Sequence, residues 1–454
     1  MTYYEQNRER FLEELKAWLR IPSISTLPEN KGDIQRAAEF ARDALTAAGL
    51  ANAGLIEGEG NPLVYAEWLG APGKPTLLFY GHYDVQPPDP LDEWKSPPFE
   101  PDVRGDNIYA RGSSDDKGQT YILIKAVESL LKTKGKLPCN VRFLIEGEEE
   151  VSGEHIESYV ASKPPNLASD AAVICDTEMF APELPTICTG LRGIVYTELH
   201  VQGPDHDLHS GVYGGAAPNP IMAIAEILTA LKTRDGEIHI PHFYDRVVKQ
   251  SQEENQAWQR LPFNEEEYRV KEVGSPALTG EADYTVFERT WARPTFEVHG
   301  IRGGFTGEGA KTVIPARAVA KISMRLVADQ RPDEAIEQLK AAVAAACPRG
   351  VTAEIKAVHG AEPSLVNPNN DFVRASAQAM EEVFGNKTVF IRSGGSIPIV
   401  GSFERSLGIP SVLMGFGLPD DNLHSPNEKF YLPNFYRGIE AVARFLELVG
   451  DSAK

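Results

Sequence analysis

Imidazole and carboxylate side chains follow several apolar runs of this sequence, at the points where those runs end. In chain order, the segments GHYDVQP, GSSDDKG, EGEEEVSG, CDTEM and NLHSPNE carry His82 and Asp84, Asp115, Glu148 to Glu150, Asp176, and His424. Grouped carboxylates are costly to bury unless a cation accompanies them. A donor set of imidazole and carboxylate without thiolate suits zinc, manganese or cobalt better than copper(I) or an iron–sulfur cluster.

The number of acidic groups favours two divalent ions over one. Two metals ~3.5–4 Å apart need a bridging carboxylate. The carboxylates of Asp115, Asp176 and Glu150 supply three of the four negative charges that balance such a pair, and a bridging hydroxide supplies the fourth. The two histidines complete the donor set as neutral ligands. Each segment also has an ordinary interpretation, because strand-end aspartates often cap turns and a run of glutamates is usually a solvated surface. Their shared position after apolar runs favours the metal site.

An alternation of strands and helices must position these side chains. A helix is predicted over 119–132, and buried strands are predicted over 63–68, 76–80, 140–145 and 171–175. Buried strands that alternate with helices are typical of an α/β sheet, in which ligand sites gather at the carboxyl ends of the strands. The first helix is recognisable from the helical spacing of Phe11, Leu15, Trp18 and Leu19.

A different pattern begins near residue 193. Residues 193–203 alternate like a half-exposed strand. A strand, a helix and a strand are predicted over 313–327, 332–347 and 351–358. The α/β pattern then resumes with a helix over 371–384. We therefore predict two domains: a discontinuous one formed by 1–192 and 365–454, and an inserted α+β module formed by 193–364.

Composition excludes several classes of protein. The 454 residues are 42% hydrophobic and 24% charged, which is ordinary globular composition. A formal net charge of −20 disfavours a general nucleic-acid binder. The apolar runs are far shorter than a membrane span needs, the N-terminus lacks a signal-peptide core, and four cysteines are too few for a disulfide framework. We expect a soluble cytoplasmic protein with neither nucleic-acid nor membrane partners.

The ordered motifs resemble those of the di-zinc aminoacylase/carnosinase superfamily, and within it the carnosinase-type cytosolic dipeptidases. In chain order, these motifs are GHYDVQP, WKSPPFEP, ARGSSDDKG, EGEEE, DLHSGVYGG, GAKTVIPA, GGSIP and LHSPNEK. The resemblance covers essentially the whole chain. It implies an α/β fold of the zinc-peptidase type, in which a discontinuous catalytic domain has a mixed, largely parallel sheet flanked by helices. It also implies that the inserted α+β module is a lid and dimerisation domain.

The resemblance assigns each metal ligand. His82 and Asp176 would bind one metal, Glu150 and His424 the other, and Asp115 would bridge both. The implied ions are two zinc ions, with manganese or cobalt as alternatives.

The resemblance also implies the roles of two further carboxylates. Asp84 would hold the tautomer of the His82 imidazole. Glu149 would be the general base that takes a proton from the water between the metals and passes it to the leaving amine. A shift of one residue in the alignment would give this role to a neighbouring glutamate. A cis peptide bond is implied directly after Asp115.

Substrate contacts are implied in the inserted module and in GGSIP. His209 of DLHSGVYGG would come from the partner subunit of a homodimer and stabilise the tetrahedral oxyanion. Arg325 would bind the substrate carboxylate bidentately, the task that a guanidinium suits. The remaining candidates for this pocket are Gly395, Ser396, Thr312 and His359.

We therefore predict a metal-dependent dipeptidase, a metallo-exopeptidase that hydrolyses the amide bond of dipeptides or short peptides with a free C-terminal carboxylate. An N-acyl-amino-acid deacylase or carbamoyl-type amidohydrolase would use the same metal machinery. A non-catalytic relative would have lost a ligand or the base, and every one of these positions is present in the sequence.

Overall fold

The computed structural model describes residues 3–151 and 153–452, which form two compact units. The first unit contains the described residues up to Thr189, Val366–Ile391 and the described residues from Ile399 onward. The second unit contains Gly190–Leu365 and Arg392–Pro398. No helix within these described residues is both long and apolar enough to cross a membrane.

The longer helices of the first unit pack against its sheet or against one another. The helices are α1 (Tyr3–Gln6), α2 (Arg8–Leu19), α3 (Lys31–Ala48), α4 (Lys117–Lys134), α5 (Glu154–Ala161), α11 (Asp371–Phe384), α12 (Pro398–Ser402, mostly in this unit) and α13 (Leu432–Ser452). Helix α2 buries Phe11, Leu15, Trp18 and Leu19, as their spacing predicts. Helix α4 is buried along most of its length and packs against α13.

Most strands of the first unit form a mixed sheet whose centre is parallel, and β4, β5 and β18 form a separate antiparallel sheet. The strands of the unit are β1 (Ala51–Ile56), β2 (Leu63–Trp68), β3 (Thr76–His82), β4 (Asp102–Arg104), β5 (Asn107–Tyr109), β6 (Asn140–Glu146), β7 (Ala171–Ile174), β8 (Thr186–Leu191), β16 (Val389–Ser393), β17 (Ser411–Leu413) and β18 (Lys429–Tyr431). The main sheet has the order β1-β2-β6-β3-β7-β17-β8. The pairs β6/β3, β3/β7 and β7/β17 are parallel, and the outer pairs are antiparallel. The predicted mixed sheet flanked by helices is confirmed, and its parallel pairing is confined to the central strands β6, β3, β7 and β17.

This topology brings the predicted metal ligands to one edge of the sheet. His82 is the last residue of β3, Glu146 ends β6 just before the three glutamates, and Asp176 follows β7 by two residues. Because β6, β3 and β7 are parallel neighbours, their carboxyl ends meet at the same edge. Asp115 lies in the turn that precedes α4.

The second unit is an α+β module built around a four-stranded antiparallel sheet of order β11-β13-β9-β14. Its strands are β9 (Gly193–Gln202), β10 (Leu208–His209), β11 (Thr295–Gly303), β12 (Val313–Ile314), β13 (Arg317–Leu326), β14 (Thr352–Ala361) and β15 (Ser364–Leu365), and its helices are α6 (Ser210–Tyr213), α7 (Pro220–Leu231), α8 (Gln252–Trp258), α9 (Glu265–Glu267) and α10 (Pro332–Ala346). Helices α7 and α10 cover one face of the sheet and bury its apolar side chains.

The two units differ from the predicted domain division at 190–192, at residue 365 and, most substantially, at 392–398. The sequence prediction places 392–398 in the discontinuous first domain, whereas these residues belong to the second unit. The reason is a set of polar contacts with that unit. Arg392 forms a salt bridge with Glu254 at 2.8 Å, and Arg192 donates from Nε to the Gly394 carbonyl at 3.0 Å. Neither residue type nor local pattern reveals these partners, which lie about 140 and 200 positions away in the chain.

Candidate dinuclear metal centre and substrate-binding residues

Asp115 lies between two histidines, and each histidine faces a different oxygen of its carboxylate. Nε2 of His82 lies 3.1 Å from Oδ1, and Nε2 of His424 lies 2.9 Å from Oδ2. The peptide bond that joins Asp115 to Asp116 is cis, as the resemblance implies. A carboxylate whose two oxygens face different imidazoles has the arrangement that a bridging ligand requires.

Two groups of potential metal ligands share this aspartate. One group contains His82, Asp115 and Asp176, and the other contains Asp115, Glu150 and His424. Within each group, the ligand atoms all lie within 4.8 Å of one another. The structure thus brings together all five side chains that the sequence analysis named as metal ligands.

Asp84 determines which ring nitrogen of His82 is available. Nδ1 of His82 lies 3.1 Å from the Asp84 carbonyl oxygen and 3.3 Å from its Oδ1, and both atoms are acceptors. Nδ1 therefore carries a hydrogen, and Nε2, which faces Asp115 and Asp176, is the ring nitrogen left to bind an ion. The Asp84 carboxylate also accepts from the backbone N–H groups of Glu149 and Glu150, at 3.3 and 3.1 Å.

The three consecutive glutamates have different surroundings. Glu148 accepts from the backbone N–H of Asn61 at 2.9 Å and so is bound to a neighbouring turn. Oε2 of Glu150 lies 3.2 Å from Nε2 of His424 and accepts from Nε2 of Gln86 at 2.9 Å. Glu149 lies between these two residues and interacts electrostatically with His82, Asp176, Glu150 and Asp115.

The clustered carboxylates of the site affect one another's ionisation. Burial raises the pKa of Asp176 well above its usual value, and the charges of Asp116 and Asp115 raise it further. Burial also raises the pKa of Glu149. The charge of His82 lowers this pKa, whereas the charges of Asp176 and Glu150 raise it further. Burial acts in the same direction on Asp115, but hydrogen bonds and charge from the two imidazoles hold its pKa below the usual range.

The donor set fits two divalent ions. Each group offers one imidazole and two carboxylates, and the shared Asp115 makes three carboxylates in all. Buried acids whose pKa is raised by burial and by mutual repulsion are stabilised as anions when a cation lies among them. The contacts of His82 Nδ1 with Asp84 leave Nε2 as the nitrogen that can bind an ion in its group. The residues present therefore fit a dinuclear site of the imidazole–carboxylate type.

In the second unit, Arg325 and the GGSIP segment lie together. Nη1 of Arg325 donates to the Ser396 hydroxyl at 2.8 Å, and that hydroxyl in turn donates to the Arg192 carbonyl. Gly395 accepts from the Arg192 backbone N–H at 3.0 Å. Burial, together with the charge of Arg325, lowers the pKa of Arg192 to about 10. Two neighbouring guanidinium groups beside a glycine-rich loop form a setting that favours an anion.

His209 and Thr312 also lie together in the second unit. Strand β10 pairs with β12 so that His209 lies opposite Val313, and the backbone N–H of Ser210 donates to the Thr312 carbonyl at 3.0 Å. His209 is exposed, and its Nδ1 accepts from the Gly211 N–H.

His359 lies on β14 opposite Tyr196, next to a register shift between Ala357 and His359. Arg325 lies on β13 opposite Ile194, which precedes Tyr196 by two residues on β9. The structure therefore places the two residues on strands either side of β9, at different positions along it.

Two residues of these sites are absent from the sequence prediction. Gln86 contacts Glu150, and Arg192 supports the GGSIP loop through Gly394 and Gly395. A signal existed for each: Gln86 stands four residues after His82 in GHYDVQP, and Arg192 is a lone basic residue between two apolar strands. Neither signal identifies the partner, since the partner is distant in the chain.

A parallel-centred α/β sheet that presents two histidine–carboxylate groups sharing one aspartate defines a dinuclear metallohydrolase. Residues 78–448 match peptidase family M20/M25/M40, and the chain belongs to this family. It is 32% identical to the Cys-Gly metallodipeptidase DUG1 of Candida albicans, over 99% of this chain and 96% of that protein. It is 30% identical to the Beta-Ala-His dipeptidase of Homo sapiens, over 98% of this chain and 90% of that protein. The resemblance to the carnosinase-type branch is confirmed.

Solved structures agree with these relatives. The chain is similar to the M20 family metallo-carboxypeptidase Sso-CP2 from Sulfolobus solfataricus, with a TM-score of 0.88 and 34% identity over 97% of this chain and 99% of that one. It is also similar to human carnosine dipeptidase 1, with a TM-score of 0.85 and 30% identity over 99% and 98% of the two chains.

Proposed function

We propose that this protein is a metallodipeptidase that hydrolyses dipeptides or short peptides with a free C-terminal carboxylate. The observation that carries the proposal is the position of Asp115, whose two oxygens face His82 and His424 separately. This arrangement suits a pair of divalent ions, and paired ions are a recurrent device for amide hydrolysis.

The proposed ligands of one ion are His82, Asp115 and Asp176, and those of the other are Asp115, Glu150 and His424. When bound, the ions polarise the scissile carbonyl and lower the pKa of the attacking water. We favour zinc, with manganese and cobalt as alternatives, because the donor set mixes imidazole with carboxylate.

The proposed general base is Glu149. It would take a proton from the attacking water at a carboxylate oxygen and later give that proton to the leaving amine. The surroundings of its neighbours support this choice, since Glu148 is bound to the backbone at Asn61 and Glu150 faces His424. Asp84 would position the base through its hydrogen bond to the Glu149 backbone N–H.

The proposed anchor for the substrate is its C-terminal carboxylate. Arg325 would bind this group bidentately, with Ser396 and the backbone of Gly395 beside it. The hydrogen bond from Arg325 to Ser396 supports this proposal, because it holds the guanidinium against the glycine-rich loop. Thr312 and His359 are further candidates for the same pocket.

The names of the relatives favour a dipeptidase over a deacylase. The two sequence relatives described above are dipeptidases, and both match nearly the whole chain. The resemblance to cytosolic dipeptidases favours a cytoplasmic location.

A panel of three matched substrates tests the class of reaction. We expect alanyl-alanine to be hydrolysed and N-acetyl-alanine to remain intact. Alanyl-alanine amide should show a kcat/KM roughly 10- to 100-fold lower, since hydrogen bonds to a charged group contribute ~1.5–3 kcal/mol each. Product amino acid is measured by chromatography.

The Arg325→Leu variant serves as the control for the panel. It should lose activity on the free dipeptide but discriminate little between the dipeptide and its amide. Hydrolysis of N-acetyl-alanine without hydrolysis of alanyl-alanine would make the protein a deacylase and overturn the proposal.

We also propose a homodimer in which His209 acts at the site of the partner subunit. The exposure of His209 supports this proposal, since the side chain is free to reach another chain. Its role would be to donate a hydrogen bond to the oxyanion that develops at the substrate carbonyl.

Subunit mixing tests the shared site. His209→Ala and Glu149→Ala proteins should each be inactive alone, whereas their heterodimer has one site with both residues intact. We expect about half of the wild-type activity per heterodimer in a twofold-symmetric dimer. The heterodimer is isolated with two affinity tags, and its activity is compared with each homodimer. An inactive heterodimer of verified composition would exclude a shared site.

A further inference from the structure

Glu428 is a buried glutamate whose carboxylate is surrounded by hydrogen-bond donors from the loop of Asp115. Its side chain is 0% exposed. Oε1 accepts from the backbone N–H groups of Ser114 and Asp115, at 2.9 and 3.1 Å. Oε2 accepts from the backbone N–H of Gly112 at 2.9 Å and from Nη1 of Arg111 at 2.8 Å. One carboxylate thus binds a whole turn of backbone.

A second buried acid binds the same turn from the other side of His424. Oδ2 of Asp421 accepts from the Ser114 hydroxyl and from the backbone N–H of Leu418, both at 2.8 Å. Its Oδ1 accepts from Nζ of Lys429 at 2.9 Å. The segment 421–428, which carries His424, is therefore anchored at both ends, and each anchor reaches the turn that carries Asp115.

The side chain of His424 is held by its contacts with the carboxylates of Asp115 and Glu150. That side chain is 55% exposed, and the backbone of His424 has a positive φ of 58°, which is uncommon for a non-glycine residue. Strand pairing between β18 and β5 brings the two segments alongside each other, and the Ala110 N–H donates to the Glu428 carbonyl. Beyond that pairing, the side chains of Glu428 and Asp421 link the loop of His424 to the turn of Asp115, and of these two only Glu428 accepts from the Asp115 backbone itself.

We propose that Glu428 is a positioning residue that holds the turn of Asp115 and the loop of His424 in one fixed arrangement before metal binds. The inference rests on the proposed function, because Glu428 would position Asp115 and His424, two proposed ligands of the second ion. Preorganised ligands bind a metal more tightly. Replacing a side chain that supports a ligand typically lowers metal affinity or activity by roughly 10- to 100-fold.

Glutamine cannot replace Glu428, although it has the same shape. Both carboxylate oxygens accept from donors, so either orientation of the amide directs its NH2 group at N–H donors. With the NH2 at Oε1, it opposes Ser114 and Asp115; with the NH2 at Oε2, it opposes Gly112 and Arg111. In both orientations Arg111 loses its counter-charge. Aspartate keeps the charge and both acceptors on a shorter side chain.

Glu128 provides the matched control. It is also a buried glutamate of the first unit, and it forms salt bridges with Lys125 at 2.6 Å and with Arg10. It lies in α4, about 16 Å along the helix from the end beside Asp116. Glu128→Gln therefore removes a buried charge and destabilises the fold without touching either group of metal ligands.

The experiment titrates metal-free proteins with Mn2+ alone and measures free Mn2+ by electron paramagnetic resonance. We expect wild type and Glu128→Gln to bind two ions per chain with affinities within about twofold of each other. Glu428→Gln should bind the more weakly held ion roughly 10- to 100-fold less tightly, and Glu428→Asp should recover part of that loss. In dipeptide assays at saturating metal, kcat of Glu428→Gln should fall while KM changes little, because the substrate carboxylate is bound elsewhere.

The outcomes separate the inference from the function on which it rests. Equal Mn2+ affinities for Glu428→Gln and wild type would overturn the inference, and so would equal losses in the Glu428 and Glu128 variants. If Glu428→Gln does not fold, the comparison of Glu428→Asp with Glu128→Asp decides in the same way. A wild-type protein that binds fewer than two ions would overturn the proposed function itself, and the inference with it.

Discussion

Replacing Glu149 by Gln should lower kcat by roughly 10²–10⁴-fold, which is the usual contribution of a general base. The amide cannot take a proton from water, yet it has the size and shape of the carboxylate. Because Glu149 belongs to neither group of ligands around Asp115, both ions should remain bound. The measurement is dipeptide hydrolysis together with metal content by elemental analysis.

Glu148→Gln is the control for this substitution. It changes the neighbouring carboxylate, which accepts hydrogen bonds from the backbone of Asn61 and His155. We expect this variant to be less stable but to retain most of its kcat. An active Glu149→Gln protein together with an inactive Glu148→Gln protein would transfer the role of base to Glu148.

Removal of the metals should abolish activity and destabilise the protein. Without cations, Asp115, Asp176, Glu149 and Glu150 face one another in a partly buried site. A ligand that binds only the folded state stabilises it by about 2.7 kcal/mol when present at 100 times its dissociation constant. We therefore expect chelation to lower the melting temperature, measured by calorimetry, and added zinc or manganese to restore it.

An Asp115→Asn variant is the control for chelation. Since the shared ligand is weakened, its melting temperature should respond little to chelator or to added metal. A wild-type melting temperature that is unchanged by complete chelation would contradict the view that bound ions offset the clustered carboxylates.

Local structure was predictable wherever the side-chain pattern depends on nearby residues. The spacing of Phe11, Leu15 and Trp18 predicts α2, and all three are buried as expected. The helix predicted over 371–384 is α11 with the same bounds. The continuous strand predicted over 313–327 is instead divided into β12 and β13, because residues 315–316 turn the chain between two different pairings.

The candidate metal ligands were predictable for a related reason. A buried strand appears in the sequence as an apolar run, and a polar side chain directly after that run lies at the carboxyl-end edge of the sheet. His82 and Asp176 are therefore identified by residue type and by their position after a strand. His424 lies in a loop and not directly after a strand, so the pattern marked it as a candidate ligand and only the resemblance assigned it to a particular ion.

The amino-acid sequence alone determined the α/β class, the residue types of a dinuclear site and the family resemblance, since each depends on pattern and on motif order. Only the tertiary structure decided which oxygen of Asp115 faces which histidine, and how the three glutamates differ. It also decided that 392–398 belongs with the second unit, and that Glu428 binds the turn of Asp115. These features are hydrogen bonds between residues that are far apart in the chain. Such contacts depend on how the whole chain folds, and no local pattern encodes them.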